Sequence, residues 1–122
     1  FAPGRRNHNT FEINGEKGSL SFNFERMNEL EYFNAEDPTD RQGFRTINVN
    51  ENDQPYAGTY WPAGHIIGYD QTFINTVYDL LQGHAHGKSP HPDFRDGAYN
   101  NLVLDKVQES AASKRWEDIP SF

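Results

Sequence analysis

The segment Tyr60–Phe73, YWPAGHIIGYDQTF, divides the chain into two parts of different character. It contains a tryptophan, a proline, a histidine and two glycines, and it leads directly into an amphipathic pattern. Side chains before it alternate between apolar and polar, which predicts strands, whereas those after it have helical spacing. Because connections on a rigid scaffold often carry function, we expect this segment to place side chains at the rim of a cleft.

Four stretches before this segment alternate with a period of two. Residues 9–14 and Ser19–Phe24 flank an Asn14-Gly15 turn, so they are predicted to form a hairpin. Two further strands are predicted at Glu29–Phe33 and Phe44–Val49. Each strand has one apolar and one polar face, which is typical of an antiparallel sheet covered on one side.

Two helices are predicted after the segment. The first extends from Gly68 to Gln82, with Gly83 as a left-handed C-cap. The second begins near Asp96, its predicted N-cap, and ends near Ser113. Their apolar stripes comprise, in chain order, Phe73, Val77, Leu80 and Leu81, then Val103, Leu104, Val107 and Ala111.

A last short strand is predicted at Trp116–Ile119, after the second helix. The strands therefore precede the helices along the chain, which predicts the α+β class. We expect a single domain over residues 1–122, in which a mostly antiparallel open sheet has two helices packed on one face.

Composition limits the classes of partner. The 122 residues carry a formal net charge of −7 with dispersed acidic groups, which argues against nucleic acid because phosphate binding needs a basic face. The absence of cysteine excludes disulfides and thiolate metal sites. No apolar run is long enough to span a membrane, and no signal peptide is visible. Because the chain starts at Phe1, we expect a mature, cleaved or truncated product. Since no signal peptide is visible, a cytoplasmic location is the default expectation.

Trp61 and His65 have two interpretations. At a pocket rim, Trp61 would stack on a sugar ring or a similar apolar face, and His65 would hydrogen-bond a hydroxyl group. Alternatively, Trp61 fills the seam between sheet and helix, and His65 lies near the helix start. From the residues alone, structural packing is the more common role.

Two other polar clusters could bind a ligand. His84, His86 and His91 have the spacing HxHx4H, which could present imidazoles to a metal. The surrounding glycines and prolines favour an exposed connection, so no metal is expected. Residues 5–9, RRNHN, could bind an anionic or polyhydroxyl ligand or line a subunit contact.

The residues Asp93, Arg95 and Asp96 are expected to cap the second helix. The sequence contains no GxGxxG or GxxxxGK[ST] phosphate loop and no GxSxG nucleophile motif. The residues alone therefore indicate an acidic α+β domain with a polar and aromatic cleft.

Three longer motifs resemble one enzyme family. Residues 4–30, GRRNHNTFEINGEKGSLSFNFERMNEL, are similar to the late sheet region of the glucose-fructose oxidoreductase, inositol dehydrogenase and rhizopine catabolism (Gfo/Idh/MocA) family. Residues 60–81, YWPAGHIIGYDQTFINTVYDLL, resemble the segment after that sheet. Residues 92–119, PDFRDGAYNNLVLDKVQESAASKRWEDI, resemble the closing pattern of the family. The resemblance extends from about Arg5 to Ile119.

The resemblance implies an NAD(P)-dependent oxidoreductase that acts on sugars or polyols. It implies that the chain is the C-terminal substrate-binding and oligomerisation portion of such an enzyme. In the family this portion follows a Rossmann domain, which is absent from this sequence. The resemblance favours Trp61 and His65, with Tyr69 as a weaker third candidate, as substrate-binding residues. It also makes the polar sheet face a homo-oligomer interface, comprising Glu12, Ser19, Ser21, Asn23, Glu29 and Glu31.

The chain departs from the family pattern in three places. It lacks the dinucleotide fingerprint, the lysine of the Glu-Lys-Pro motif and the Asp-x-x-x-His pattern. We therefore assign no catalytic and no cofactor-binding residue. NAD or NADP is expected in the intact enzyme, and neither is expected to bind this chain alone. The alternative is a free-standing, non-catalytic carbohydrate-binding or assembly module of the same fold.

Overall fold

The computed structural model describes residues 2–121 and confirms the predicted α+β class. Four strands form one antiparallel sheet in the order β1-β2-β3-β4, and two α-helices follow. The chain divides after Phe73 into two compact units, the first with the sheet and the second with most of α1 and all of α2. The elements are β1 Thr10–Gly15, β2 Gly18–Asn23, β3 Glu29–Asn34, β4 Arg45–Asn48, α1 Tyr69–Ala85 and α2 Phe94–Ser113.

The predicted hairpin is present, and its register separates the two faces of the sheet. Gly15 pairs with Gly18 across a two-residue turn, so Phe11 lies opposite Phe22. In each strand, every second side chain lies on the same face of the sheet. The register of the four strands places the apolar side chains opposite one another on one face. The apolar face comprises Phe11, Ile13, Leu20, Phe22, Leu30, Tyr32 and Ile47.

The opposite face carries the polar residues that the sequence predicted. Glu12 lies opposite Ser21, and Ser21 lies opposite Glu31 on the next strand. Phe33 also belongs to this face, because it lies opposite Ser19, and its ring is 5.8 Å from the ring of Phe44. The polar face therefore ends in an aromatic pair near the start of β4.

The helix α1 ends later than predicted, so the assignment of Gly83 as its C-cap is wrong. The helix continues to Ala85, and Gly87 is the residue with positive φ, 63°. The amide of Lys88 donates to the Gly83 carbonyl at 2.8 Å, and the amide of Gly87 donates to the His84 carbonyl at 3.2 Å. This pair of bonds is the Schellman arrangement, in which the glycine after the last turn adopts the left-handed conformation.

Gly83 has a different role, which is to allow close approach of the returning chain. A Cβ at this position would lie 2.6 Å from the carbonyl oxygen of Lys88 and 3.0 Å from Cδ of Pro90. The sequence pattern predicted a glycine near the helix end. It did not show whether that glycine was needed for a left-handed backbone conformation or for the close approach of another segment.

The helix α2 begins three residues earlier than predicted, so Asp96 is not its N-cap. Asp93 is the N-cap, and its carboxylate accepts hydrogen bonds from the amides of Arg95 at 2.7 Å and Asp96 at 3.3 Å. The Asp96 carboxylate accepts from the Asp93 amide at 2.8 Å, which completes a capping box. These amide donors, that of Arg95 first, lower the pKa of Asp93. The predicted end at Ser113 is confirmed.

The predicted short strand at Trp116–Ile119 is wrong. These residues are irregular, and Trp116 is fully exposed. A strand exists only through pairing with a neighbour, and the sheet of the described residues contains β1 to β4 alone. Within residues 2–121, neither α-helix has the length and apolar character needed to cross a membrane.

Alanine at Gly83 and alanine at Gly97 should change stability in opposite directions. Both glycines lie within helices, but a Cβ at Gly97 meets nothing within 4 Å. Gly97→Ala should raise the free energy of unfolding by roughly 0.4–1 kcal/mol. Gly83→Ala should lower it by roughly 1–3 kcal/mol because the new methyl overlaps Lys88 and Pro90. Urea unfolding measures both, and equal changes of the same sign would contradict the close approach.

The capping role of Asp93 predicts a pH dependence. Because the pKa of Asp93 is lowered from 3.8 in the folded state, its contribution is complete above 3.8 and is lost as pH falls through the lowered folded value. Asp93→Ala should therefore lower the melting temperature at neutral pH and have little effect in strong acid. Asp93→Asn keeps a capping oxygen at every pH and should remove the acid dependence of this site. Thermal unfolding followed by circular dichroism tests this, and a pH-independent gap between wild type and Asp93→Ala would contradict it.

Candidate functional site

The site is built on the connection between β4 and α1, which we call the site loop and define as residues 49–68. Its first turn is fixed by Gln54. The Gln54 side chain accepts from the amides of Asn50 at 2.8 Å and Glu51 at 2.9 Å, and it donates to the carbonyl of Asn48 at 2.8 Å. The turn therefore satisfies backbone groups at the end of β4, as irregular backbone must.

The middle of the site loop returns to its own start. The amide of Gly64 donates to the carbonyl of Asn50 at 2.9 Å. Gly64 has a φ of 88°, a left-handed conformation that glycine adopts without steric cost. Trp61 lies between Asn50 and Gly64 in the sequence. The hydrogen bond between these two residues therefore helps to set the position of Trp61.

The end of the site loop is held by Asn28, which precedes β3. The Asn28 side chain donates from Nδ2 to the carbonyl of Ile67 at 2.8 Å and accepts at Oδ1 from the amide of Ile67 at 2.9 Å. The Asn28 carbonyl also accepts from the amide of Val49 at 2.8 Å. One residue at the sheet thus contacts both ends of the site loop.

The first turn of α1 completes the support. The amide of Gly68 donates to the Gln71 side chain at 2.7 Å, the side-chain half of a capping box. The Tyr60 hydroxyl donates to the carbonyl of Gln71 at 3.4 Å. Both contacts tie the site loop to the start of α1, so the helix begins at a defined point relative to Trp61 and His65.

Trp61 and His65 are both exposed on the site loop. Trp61 has 54% of its surface accessible. The His65 Nδ1 lies 2.9 Å from the carbonyl of Pro62. Because a carbonyl only accepts, Nδ1 carries the proton in this contact, and Nε2 of the neutral ring is an acceptor. That acceptor suits a hydroxyl donor.

Tyr69 is the first residue of α1, and its ring belongs to an aromatic row. The ring is perpendicular to that of Phe24 at 5.7 Å and to that of Phe73 at 5.3 Å. Edge-to-face contacts of this kind are favourable and fix ring orientation. The side chain is still 55% exposed. The substrate-binding roles of Trp61, His65 and Tyr69 stay predictions.

The polar cluster at residues 5–9 is partly neutralised within the molecule. The Arg5 guanidinium donates to the Glu25 carboxylate at 3.0 Å, and the Arg6 amide donates to the same carboxylate at 2.7 Å. The amide of Arg6, followed by the guanidinium of Arg5, lowers the pKa of Glu25. The charge of Arg5 is therefore paired, which weakens the interpretation of this cluster as an anion site.

The histidine-rich connection after α1 does not present the three histidines as one ligand set. His84 lies in the last turn of α1, and His86 donates from Nδ1 to the carbonyl of Gln82 at 2.7 Å. Within residues 2–121, the ligand atoms that lie close enough for one ion belong to His91, Asp93 and Asp96, within 4.8 Å of one another. Both carboxylates of that group already form the capping box, so capping accounts for their arrangement.

Two neighbouring cavities lie beside this connection, and both belong to the second compact unit. Their volumes are about 470 and 350 Å³, and His91 lines both. Neither cavity is lined by Trp61, His65 or Tyr69. The predicted site residues therefore lie on an open surface of the first unit rather than in these cavities.

Sequence reasoning missed the residues that support the site loop, which are Asn28, Gln54 and Gln71. Each is a polar side chain that hydrogen-bonds backbone groups of the site loop. Gln71, which lies three residues after Gly68, has the spacing of a capping residue and could have been found. Asn28 contacts a residue 39 positions away, and no local pattern encodes such a contact.

Comparison with known proteins shows extensive similarity to parts of longer dehydrogenases. No family model matches the chain. Over 122 residues, the chain is 42% identical to the levoglucosan dehydrogenase of Pseudarthrobacter phenanthrenivorans, a match that covers 99% of this chain and 31% of that enzyme. The chain thus spans about a third of the length of the curated relative that it matches.

Solved structures show the same similarity in three dimensions. The crystal structure of an oxidoreductase domain protein from Kribbella flavida is 44% identical and has a TM-score of 0.95, with 99% of this chain and 32% of that chain covered. Levoglucosan dehydrogenase in complex with NADH and levoglucosan is 42% identical with a TM-score of 0.91, and the match covers 99% of this chain and 33% of that chain. The same enzyme has also been solved with NADH and L-sorbose. The chain is therefore similar to part of an NADH-binding sugar dehydrogenase.

Proposed function

We propose that this chain is the C-terminal, substrate-binding and oligomerisation portion of an NAD(P)-dependent sugar or polyol dehydrogenase of the Gfo/Idh/MocA type. One observation carries the proposal, which is the end-to-end similarity to levoglucosan dehydrogenase at 42% identity with a TM-score of 0.91. Solved complexes of that enzyme contain NADH with levoglucosan or L-sorbose. A sugar or anhydrosugar is accordingly the proposed substrate class.

The proposal assigns the cofactor to the remainder of the longer protein. The residues present do not fit a dinucleotide, because the sequence has no glycine-rich loop between a strand and a helix. The strands of the described residues are all antiparallel and are joined without helical crossovers. Hydride transfer is therefore assigned to the remainder of the longer protein, and the proposed role of this chain is to bind and orient the sugar.

The exposed side chains of the site loop suit that role. The ring face of Trp61 would stack on the apolar face of a pyranose. The Nε2 of His65 would accept a hydrogen bond from a sugar hydroxyl, and the Tyr69 hydroxyl would donate or accept another. Binding groups of this kind fix orientation, while the cofactor carries the chemistry.

The exposed helix stripe favours the dehydrogenase portion over the free-standing module. The predicted stripe of α1 comprises Phe73, Val77, Leu80 and Leu81, and these side chains are between 54% and 61% exposed. Within residues 2–121, Ala57, at 8% exposure, is the only buried apolar residue. Monomeric proteins rarely expose contiguous apolar surface of this extent. A covering partner, such as the rest of a longer chain, accounts for it.

Removal of the stacking ring or of the imidazole should weaken sugar binding in the intact enzyme. Trp61→Ala should raise the KM for levoglucosan about fivefold, since aromatic contacts contribute on the order of 1 kcal/mol beyond burial. His65→Ala should raise the KM or lower kcat through loss of a hydroxyl contact. Ile66→Ala is the control, because Ile66 is exposed on the same loop and has no assigned contact. Steady-state kinetics that are unchanged in both variants would remove Trp61 and His65 from the site.

The polar sheet face is the proposed surface for self-association. Side chains on this face form hydrogen bonds between neighbouring strands. The Thr46 hydroxyl donates to the Glu31 carboxylate at 2.7 Å, and the Ser19 hydroxyl donates to the side-chain oxygen of Asn14 at 2.6 Å. A shallow cavity of about 70 Å³ on this face is lined by residues including Ser21 and Glu29. Open sheets pack face to face in oligomers, and a two-fold contact brings the same face of each copy together.

Charge reversal on this face should weaken the oligomer. Glu31→Lys places a cation where each copy meets its partner, so the intact enzyme should sediment as a smaller species. Glu16→Lys, which makes the same charge change in the β1–β2 turn, should leave the sedimentation coefficient unchanged. Identical sedimentation of wild type and both variants would place the contact elsewhere.

A further inference from the structure

We propose that Asn28 is the positioning residue of the sugar site. Its side-chain amide forms two hydrogen bonds with the peptide groups of Ile67, at 2.8 and 2.9 Å, and it holds there the segment that carries His65 and leads into Tyr69. The inference rests on the proposed sugar-binding function of the site loop. It adds a residue that does not touch substrate itself but sets the position of residues that do.

The Asn28 backbone is fixed where the β3–β4 ladder meets the start of the site loop. Asn28 directly precedes β3, and its carbonyl accepts from the amide of Val49, one residue after β4. This bond continues the β3–β4 ladder by one step. The side chain then extends the pairing outward to Ile67, as a neighbouring strand would. The Asn28 side chain thereby connects the sheet to the end of the site loop, as the Gln54 bond to the Asn48 carbonyl does at its start.

The chemistry of the contact requires an asparagine. Ile67 offers one amide donor and one carbonyl acceptor, and the side-chain amide of asparagine supplies the complementary acceptor and donor. The Asn28 side chain and Ile67 are only partly exposed, so water does not fully replace these bonds. Aspartate has no donor for the Ile67 carbonyl, and alanine leaves both backbone groups without this partner.

The position of Ile67 links the contact to the predicted site residues. Ile67 is two residues after His65 and two residues before Tyr69, the first residue of α1. The other described fixed points of the segment are the Gly64 bond to Asn50 and the Gly68 bond to Gln71. The Asn28 contact is the fixed point between them that reaches the sheet. Loss of it should let the segment around His65 move as a unit.

The test uses the intact dehydrogenase with levoglucosan and NAD⁺ as probes. Asn28→Ala should raise the KM for levoglucosan at least tenfold and leave the KM for NAD⁺ unchanged. Asn28→Asp keeps the volume and one of the two bonds, so its effect should be smaller. Asn101→Ala, which removes an exposed asparagine of α2, is the control and should match wild type. A KM for NAD⁺ that rises in parallel with that for levoglucosan would indicate general loss of structure and would overturn the inference.

Hydrogen exchange of residues 60–68 provides a readout that is independent of activity. The Ile67 amide should exchange faster in Asn28→Ala, whereas in Asn28→Asp it keeps an acceptor and should stay protected. If the Ile67 amide exchanges at the same rate in Asn28→Ala as in wild type, the positioning role of Asn28 is overturned, whatever the kinetics show. Should Asn28→Ala fail to fold, the comparison of Asn28→Asp with wild type still decides the question, because a KM for levoglucosan equal to that of wild type would overturn the inference.

The two possible failures can be distinguished. If exchange increases in Asn28→Ala and Trp61→Ala raises the KM for levoglucosan, an unchanged KM in Asn28→Ala overturns the positioning role alone. If neither Trp61→Ala nor His65→Ala changes the kinetics, the proposed sugar site itself fails, and the positioning role fails with it. A raised KM for levoglucosan together with faster exchange of the Ile67 amide supports the inference.

Discussion

The pair of hydrogen bonds between Asn28 and Ile67 joins the two kinds of structure in the first compact unit. On one side is an antiparallel sheet whose β3–β4 ladder continues to Asn28 through the bond from the Val49 amide. On the other is an irregular loop whose backbone has no ladder of its own. A loop that carries binding side chains must be held by something rigid. The described contacts make the sheet that support, through the side-chain amides of Asn28 and Gln54.

The second constraint on the molecule is its exposed apolar surface. The α1 stripe is more than half exposed, and Phe94 and Trp116 are almost fully accessible. Such surface is normally covered by another part of the chain or by a partner. The relatives are about three times as long as this chain. In a protein of that length, the remainder of the chain would cover the exposed stripe of α1. The same surface makes a free-standing module the weaker alternative.

Local patterns predicted the elements well and their ends less well. Alternation located four strands and helical spacing located two helices, because burial on one face imposes a period on the sequence. The ends depended on which of several polar or small residues served as the cap. Asp93 and Asp96 both suit a helix start, and Gly83 and Gly87 both suit a helix end. Only the hydrogen bonds of each residue decided between them.

The candidate site was predictable only in part. The site loop and its exposed residues Trp61 and His65 stood out because aromatic, glycine and proline residues interrupt the strand pattern. Asn28 did not, since its partner lies far away in the sequence and a polar residue before a strand resembles any turn residue. The terminal strand at 116–119 was predicted wrongly because an alternating pattern cannot show whether a partner strand is available. Long-range pairing of this kind is a property of the fold rather than of the local sequence.

The most direct measurement of the central claim is the reduction of NAD⁺ or NADP⁺ by the protein at its native length, across a panel of sugars and polyols that includes levoglucosan and L-sorbose. The account predicts cofactor reduction that saturates with at least one sugar. It also predicts a native mass well above the 14.0 kDa of this chain. Saturable sugar binding by a native protein near that mass, with no reduction of either cofactor by any sugar, would contradict it.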